Sequence, residues 1–344
     1  MKNVLLLTTG GTIASRECGA GLAPAIGADA ILREIAARHP RVAFARRDLL
    51  RLDSSDVQPE DWQAIARAVF AELEAYDGIV VTHGTDTMAY TAAALSLMLR
   101  NLKRSVVLTG SQLPIEAPLS DAPSNLHTAV AAVEAGVAGV TVAFGGVLID
   151  GMRAVKCDSA SLRAFESVNA HPLARVTADG LRVYAGGTGP IEPEAPTRLE
   201  DALCPDVFLL KPHPGTRADC FPALRDAGVR GVVVEAYGAG GLSRTGRDLA
   251  GGLRTLTEAG IAVVVCTQCL RGRVDLTRYE IGRNLLAAGA IPAGDLTTEA
   301  AVVKLMWALA RTRDIEGVAE VFLRSPEEDG EERGDVCAPR EIGD

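Results

Sequence analysis

The chain has 344 residues, 48% of them hydrophobic and 23% charged, which is enough apolar material to bury a substantial core and, by length, to build about two domains. Disorder of the whole chain is excluded. A net charge of −9 without any dense Lys/Arg cluster argues against nucleic acid or an anionic membrane as partner and makes a small molecule the expected ligand.

Lys2 is the only charged residue before the first apolar run, Val4 to Leu7, which stops at Thr8. That run is too short for a signal-peptide core or a membrane span, so a cytoplasmic location is expected. It leads directly into Thr8-Thr9-Gly10-Gly11-Thr12-Ile13-Ala14, a strand ending in a glycine turn. Adjacent glycines permit positive φ and close approach of a ligand to the backbone. Thr12 is then either the N-cap of a following helix or a hydroxyl mounted as a nucleophile. A less distinct strand near Leu49 to Leu52 precedes Asp53-Ser54-Ser55-Asp56, and Pro59 at a helical N1 position opens a stripe of Trp62, Ile65, Ala66, Val69 and Leu73. Gly78 to Val81, Ser105 to Leu108 and Val140 to Phe144 read as further buried strands. Such runs alternating with amphipathic helices predict an open, mostly parallel α/β sheet with helices on both faces.

Residues 1–180 are read as this larger N-terminal α/β domain. The pattern then lapses into glycine, proline and acidic residues, including Gly186-Gly187-Thr188-Gly189-Pro190 and Glu192-Pro193-Glu194, and 181–205 is read as a linker. A second alternation begins with Val207 to Leu210, Gly231 to Glu235 and Ile261 to Thr267 and closes with a helix near Glu299 to Ala310, giving a smaller C-terminal α/β domain over 206–325. The segment 326–344, rich in Glu, Gly and Asp, is expected to be a disordered tail.

Ligands of open α/β sheets bind at the carboxyl ends of the strands. Four strand ends here are polar: Gly10-Gly11-Thr12, Asp53-Ser54-Ser55-Asp56, Thr82-His83-Gly84-Thr85-Asp86-Thr87 and Thr109-Gly110-Ser111-Gln112. Helix capping accounts for one side chain per helix, so Asp56 or a neighbouring serine before Pro59, and Thr85 or Asp86 before Met88, each have a plain reading as caps. The set carries more hydroxyls and carboxylates than capping uses, which points to a ligand.

There is no G-x-x-x-x-G-K, no G-x-G-x-x-G after the first strand and no G-x-S-x-G, so a nucleotide cofactor or a serine elbow loses support. Five histidines (39, 83, 127, 171 and 213) lack metal-ligand spacing and no metal is expected; His83 is read as a structural hydrogen-bonding residue rather than a base. Seven scattered cysteines are expected to be reduced thiols, the C-x-x-C of Cys266 and Cys269 having no second pair to complete a zinc site. A threonine nucleophile needs a base, and a lysine paired to a carboxylate is the candidate once histidine is set aside. Lysine is scarce, five against thirty arginines, and Lys156 lies in the polar stretch Asp150 to Asp158; taken alone it reads more readily as a solvated surface residue.

Gly10-Gly11-Thr12-Ile13-Ala14 together with His83-Gly84-Thr85-Asp86-Thr87-Met88 resembles the two signature motifs of the bacterial L-asparaginase family, in its cytoplasmic type I branch. The resemblance extends through Asp53-Ser54-Ser55, Thr109 to Pro114, Gly151 to Lys156, Phe165 to Asn169, Tyr237 to Gly240 and Thr298-Glu299-Ala300, over roughly residues 2–325. It implies a two-domain α/β amidohydrolase converting L-asparagine to L-aspartate and ammonia, with L-glutamine a poorer substrate, no cofactor, and a homodimer or homotetramer whose sites are completed by a neighbouring subunit. Thr12 is implied as the nucleophile that becomes an acyl ester, and Thr85, Lys156 and Asp86 as a hydroxyl–amine–carboxylate relay. Asp53, Ser54, Ser55 and Asp86 are implied to hold the amino-acid end of the substrate, Gly11, Gly84 and the backbone at Thr85 to form the oxyanion hole, and the Ser111 carbonyl to hold the leaving nitrogen.

One departure from the family pattern concerns the loop after the first motif, where a tyrosine often helps activate the nucleophile. Here the loop reads Ala20-Gly21-Leu22-Ala23-Pro24; Tyr279, in a segment able to reach a partner's site, is the candidate substitute, and Arg16 to Pro24 is expected to be a mobile lid. Two further readings stand beside the hydrolase. One is the ammonia-releasing subunit of a tRNA-dependent amidotransferase, which would carry an extra N-terminal module where this chain reaches its first motif at Thr8. The other is a non-catalytic amino-acid sensor, with Leu22 as the sign of lost chemistry.

Overall fold

Along the first strand, β1 (Lys2–Gly10), successive side chains enter different cores: Val4 and Leu6 pack on one face of the sheet, Leu5 and Leu7 on the other. This is the period-two signature of a strand covered on both sides. The computed structural model describes residues 1–18, 21–24, 27–189 and 191–323. The side chains of 16–26, which include Leu22 and the expected lid, and the expected tail 326–344 lie outside the described residues.

The chain continues through α1 (Ala28–Ala36), β2 (Val42–Leu52), α2 (Pro59–Glu72), β3 (Gly78–Thr82), α3 (Met88–Met98), β4 (Ser105–Thr109), α4 (Ala122–Glu134) and β5 (Gly139–Phe144). A hairpin then leads into β6 (Val147–Asp150), and a second hairpin, β7 (Ala174–Thr177) and β8 (Gly180–Val183), completes an eight-stranded sheet in the order β8-β7-β6-β5-β4-β3-β1-β2. From β2 to β5 every pairing is parallel. α1 and α4 cover one face, with Ile31, Ile35, Leu126 and Val130 against Val4, Leu6, Val80 and Val107. α2 and α3 cover the other. The α/β sheet with helices on both faces is as the sequence indicates, but its far edge is antiparallel. Gly145 and Gly146, at φ +58° and +77°, form the two-residue turn that such values favour and send the chain back as β6. β8 extends three residues into the segment read as linker, and Arg198–Leu199 within that segment pairs with Leu99–Arg100.

The second sheet has the order β9-β10-β11-β12, all parallel: β9 (Val207–Leu210), β10 (Gly231–Ala236), β11 (Ala262–Thr267) and β12 (Ile291–Pro292). α5 (Cys220–Asp226), α6 (Leu249–Thr257) and α7 (Glu280–Ala287) accompany it, followed by α8 (Thr298–Leu309) and α9 (Ile315–Leu323). α8 is apolar nearly all round because it is buried on two sides: Ala301, Leu305 and Ala308 join the core of the second sheet, while Ala300, Val303 and Trp307 join that of the first. Among the described residues no helix is long and apolar enough to cross a membrane.

In the first sheet, β1 lies between β2 and β3. The chain therefore winds to one side and then the other, and the crevice beyond the carboxyl ends of β1 and β3 is the switch point where ligands of such sheets bind. Thr8, Thr82 and Thr109 stand in register across β1, β3 and β4 at that edge. The polar loops named from the sequence follow each of them.

Candidate active site

The first loop bends sharply. Gly10 has φ +109° and Gly11 φ +81°, a region that L side chains avoid. A Cβ on Gly11 would run into Gly84 N, and one on Gly84 would meet Ser54 Oγ at 2.6 Å. Loops one, two and three are thus in backbone contact, and the two touching glycines each immediately precede a threonine, Thr12 and Thr85. Thr12 begins a single 3₁₀ turn, Thr12–Ala14, capped by Gly11 without a side-chain bond and followed by the strand Ser15–Cys18. No α-helix starts there, which removes the N-cap reading of Thr12. Ile13 and Ala14 anchor the turn in the core, Ser15 Oγ donates to the Gly11 carbonyl at 2.9 Å, and Thr12 stays partly exposed.

The capping alternatives fail elsewhere too. α2 is capped at Gln58, whose N–H donates to Asp61 at 2.8 Å, and α3 has Thr87 at its N-cap without a side-chain bond. Asp53 accepts from Ser55 N–H at 2.8 Å, a bond that holds its carboxyl below the usual range. Ser54 is buried and stitches loop two to loop three: its Oγ accepts from Asp86 N–H at 3.3 Å and its carbonyl from the Thr87 hydroxyl at 2.7 Å. Ser55 and Asp86 face solvent.

Lys156 reaches this point by a route the sequence alone does not disclose. After β6 the chain crosses α3 at Gly151, where a Cβ would meet Ser96 Oγ at 2.6 Å and Ala92 O at 3.0 Å. The short strand Ala154–Lys156 then pairs with Phe165–Ser167. Lys156 Nζ donates to Thr85 Oγ1 at 2.7 Å and to Asp86 Oδ1 at 2.6 Å, with 18% of its side chain exposed against 62% for Asp86. The solvated-surface reading of Lys156 is therefore replaced by that of a partly buried amine between a hydroxyl and a carboxylate. The Thr85 hydroxyl in turn donates to Gln112 Oε1 at 3.2 Å.

His83 is 1% exposed and both ring nitrogens are engaged, Nδ1 with Gly84 O at 2.7 Å and Nε2 with Thr91 Oγ1 at 2.9 Å. Burial lowers its pKa, and it acts as a brace under the third loop. Ser111 is buried, its hydroxyl turned to the Leu113 carbonyl. Tyr279 is 54% exposed, with the Arg278 guanidinium over its ring at 5.3 Å; its described partners lie in the C-terminal sheet region, and none is a strand-end residue of the first sheet. Cys266 is buried at the end of β11, its thiol pushed up to about 12 by burial, and Cys269 is exposed. Among the described residues no His/Cys/Asp/Glu group is arranged to hold a metal ion.

In the sequence, Asp121 and Asn125 carry only the signal of an ordinary helix start. In the structure the buried Asp121 carboxylate accepts from the N–H groups of Gln112 and Leu113 at 3.0 and 3.1 Å, and Asn125 ties it to Gly110 O and Gly145 N.

A doubly wound sheet with two threonines on touching glycine loops at its switch point, one of them bonded to a lysine–aspartate pair, has the layout of an α/β enzyme site. The chain matches the asparaginase N-terminal family over residues 3–187 and the glutaminase/asparaginase C-terminal domain over 206–322. It is 46% identical to an L-asparaginase of Thermococcus kodakarensis over 326 residues, covering 94% of this chain and 97% of that one. It is 39% identical to a glutamyl-tRNA(Gln) amidotransferase subunit of Aeropyrum pernix, covering 99% and 82%. The solved thermostable L-asparaginase from T. kodakarensis superposes with a TM-score of 0.88 at 44% identity, over 94% of this chain and 98% of that one. A probable cytoplasmic L-asparaginase from Campylobacter jejuni does so with 0.81 at 30%, over 94% and 100%. The chain belongs to the asparaginase/glutaminase family.

Proposed function

We propose that the protein is an L-asparaginase that hydrolyses the side-chain amide of L-asparagine to L-aspartate and ammonia through a threonine acyl-enzyme. The observation that carries this reading is the Thr85–Lys156–Asp86 arrangement, 2.7 and 2.6 Å between its members, beside the Gly11–Gly84 contact that brings the Thr12 turn to it. Thr12 is the nucleophile: its Oγ attacks the amide carbon, ammonia leaves, and water releases the acyl group. Thr85 and Lys156 hold and move the proton of the attacking group, and Asp86 both orients Lys156 and, with Asp53, Ser54 and Ser55, receives the α-ammonium and α-carboxylate. Backbone N–H groups at Gly11, Gly84 and Thr85 form the oxyanion hole, and the Ser111 carbonyl holds the leaving nitrogen. Glutamine is the poorer substrate because its extra methylene displaces the carbonyl, a discrimination of modest size.

The chain works as a homodimer or homotetramer in the cytoplasm without a cofactor, residues 1–180 carrying the chemistry, 181–205 linking, and 206–325 forming the smaller α/β domain. Tyr279 of a neighbouring subunit is the proposed activator in place of the loop tyrosine.

The test is ammonia release from L-asparagine and L-glutamine by the wild type and Thr12→Ala. The expected result is asparagine turnover by the wild type and none by the variant at an unchanged thermal midpoint. Wild-type-like turnover in Thr12→Ala removes the nucleophile, and asparagine binding without turnover favours the sensor reading. The similarity to the Aeropyrum amidotransferase subunit supports a second reading, ammonia supply to a tRNA-dependent amidotransferase; preference for glutamine and co-purification of a synthetase-like partner are its signatures.

A further inference from the structure

We propose that Gln112 is a positioning residue that fixes the direction of the Thr85 hydroxyl proton, with Asp121 and Asn125 holding the loop that carries it. This rests on the relay role of Thr85 given above.

A threonine oxygen has one proton and two lone pairs. At Thr85 one lone pair accepts from Lys156 Nζ at 2.7 Å and the proton is donated to Gln112 Oε1 at 3.2 Å. One lone pair is left. A hydroxyl held in this way is an acceptor toward anything that approaches from the open side, and an acceptor is what a nucleophile or a hydrolytic water needs as it gives up its proton. Without Gln112 the hydroxyl rotates freely and offers its own proton to the attacking oxygen in part of the population.

The structure fixes Gln112 through its backbone rather than through its amide nitrogen. Gln112 Nε2 is buried and has no partner among the described residues. What holds the residue is the Asp121 carboxylate, 8% exposed, which accepts the N–H groups of Gln112 and Leu113. Asn125, 1% exposed, braces that carboxylate through Nδ2 at 3.0 Å, donates also to Gly110 O at 3.0 Å, and accepts Gly145 N–H at 2.9 Å. Gly110 itself is pressed against the His83 carbonyl, leaving no room for a Cβ. The loop is thereby pinned to α4 on one side and to the Thr85 loop on the other. The polar contact its side chain makes is the one with the Thr85 hydroxyl, through Oε1.

The experiment compares wild type, Gln112→Met, Gln112→Glu and Asp121→Asn in steady-state ammonia release from L-asparagine and in thermal melting. Gln112→Met removes the acceptor at a similar side-chain length, so the fold is retained, while kcat drops by about 10- to 100-fold at unchanged KM, the scale of one hydrogen bond in a charged network. Gln112→Glu keeps an acceptor and recovers most of that loss, with a pH profile moved upward by the added carboxylate beside Lys156. Asp121→Asn loosens the loop and lowers kcat with KM retained. Unchanged kcat in Gln112→Met, a loss confined to KM, or equal losses in the Met and Glu variants would each overturn the proposal. A wild type inactive on both amides overturns instead the hydrolase reading on which it rests.

Discussion

Gly11 and Gly84 meet backbone to backbone, and neither has room for a side chain. The contact sets how far the Thr12 turn lies from the Thr85 loop. Gly11→Ala places a Cβ into Gly84 N at φ +81°, a backbone conformation that costs an L residue about 1–2 kcal/mol. The expected outcome is a loss in kcat/KM of at least ~100-fold, because displacement by an ångström disrupts a near-attack geometry on that scale. Kinetics read beside a melting curve check it; activity near that of the wild type would mean the contact does not set the distance.

Lys156 is the amine in contact with both the Thr85 hydroxyl and the Asp86 carboxylate. Lys156→Met is expected to lower kcat by about 10²–10⁴-fold, the usual reach of a positioned proton-transfer group. Lys156→Arg is not expected to restore it, since a planar guanidinium cannot replace a compact ammonium that must also release its proton. Single-turnover assays distinguish slow acylation from slow product release.

Stability should fall in mild acid. Burial lowers the pKa of His83 and, with His39 as a nearby second influence, that of His127. Above the unfolded value of about 6.5 both states are neutral and neither residue contributes a pH dependence. As pH falls below it the unfolded chain takes up protons that the fold refuses, and stability is lost progressively toward the depressed folded values. Urea midpoints between pH 7.5 and pH 5 measure the slope, which His127→Gln reduces; an unaltered slope in that variant would assign the effect to His83.

Lys304 on α8 is 8% exposed, its ammonium lying 5.0 Å from the Phe322 ring centroid, and burial, with Arg100 and Arg153 adding repulsion, lowers its pKa to about 8. Below that value the ammonium is carried at a cost of about 3 kcal/mol relative to the unfolded chain. Between pH 8 and the unfolded value of 10.5 the unfolded state holds more protons, so this penalty is relieved as pH rises. The cation–π contact offsets at most about 2 kcal/mol of it. Lys304→Met is therefore expected to raise the melting temperature at pH 7 and to flatten the stability profile from pH 8 to 10.5. An unchanged midpoint would mean that the ammonium reaches water when charged.

The strand-end loops are legible in the sequence because buried parallel strands are unbroken β-branched runs, and a cluster of hydroxyls, glycines and carboxylates directly after such a run stands out. Gly11, Ser54, Thr85 and Asp86 are where that pattern puts them. Thr12 is ambiguous between cap and nucleophile in the sequence because the same Gly-Gly-Thr segment suits either; the structure removes the helix cap, since a 3₁₀ turn and a hairpin strand follow rather than an α-helix. The return of β6 escapes a sequence reading since Val147 to Ile149 is only three apolar residues long, and its Gly145-Gly146 turn carries positive φ that composition does not reveal. β12, with two residues, is too short for any periodicity. The support from Asp121 and Asn125 depends on which backbone groups come near them, a tertiary matter: their spacing of four looks the same in any helix start.

Trp307 carries a different implication. It is seated in the core of the eight-stranded sheet although its helix belongs to the later half of the chain, and the Arg311 guanidinium lies over its ring at 3.6 Å. With Ala300 and Val303 on the same side, separating the two halves would uncover apolar surface on both. Neither half has a reason to melt first. Calorimetry should record a single endotherm, and loosening of α8 should reduce catalysis and heat resistance together, although no atom of α8 belongs to the proposed relay.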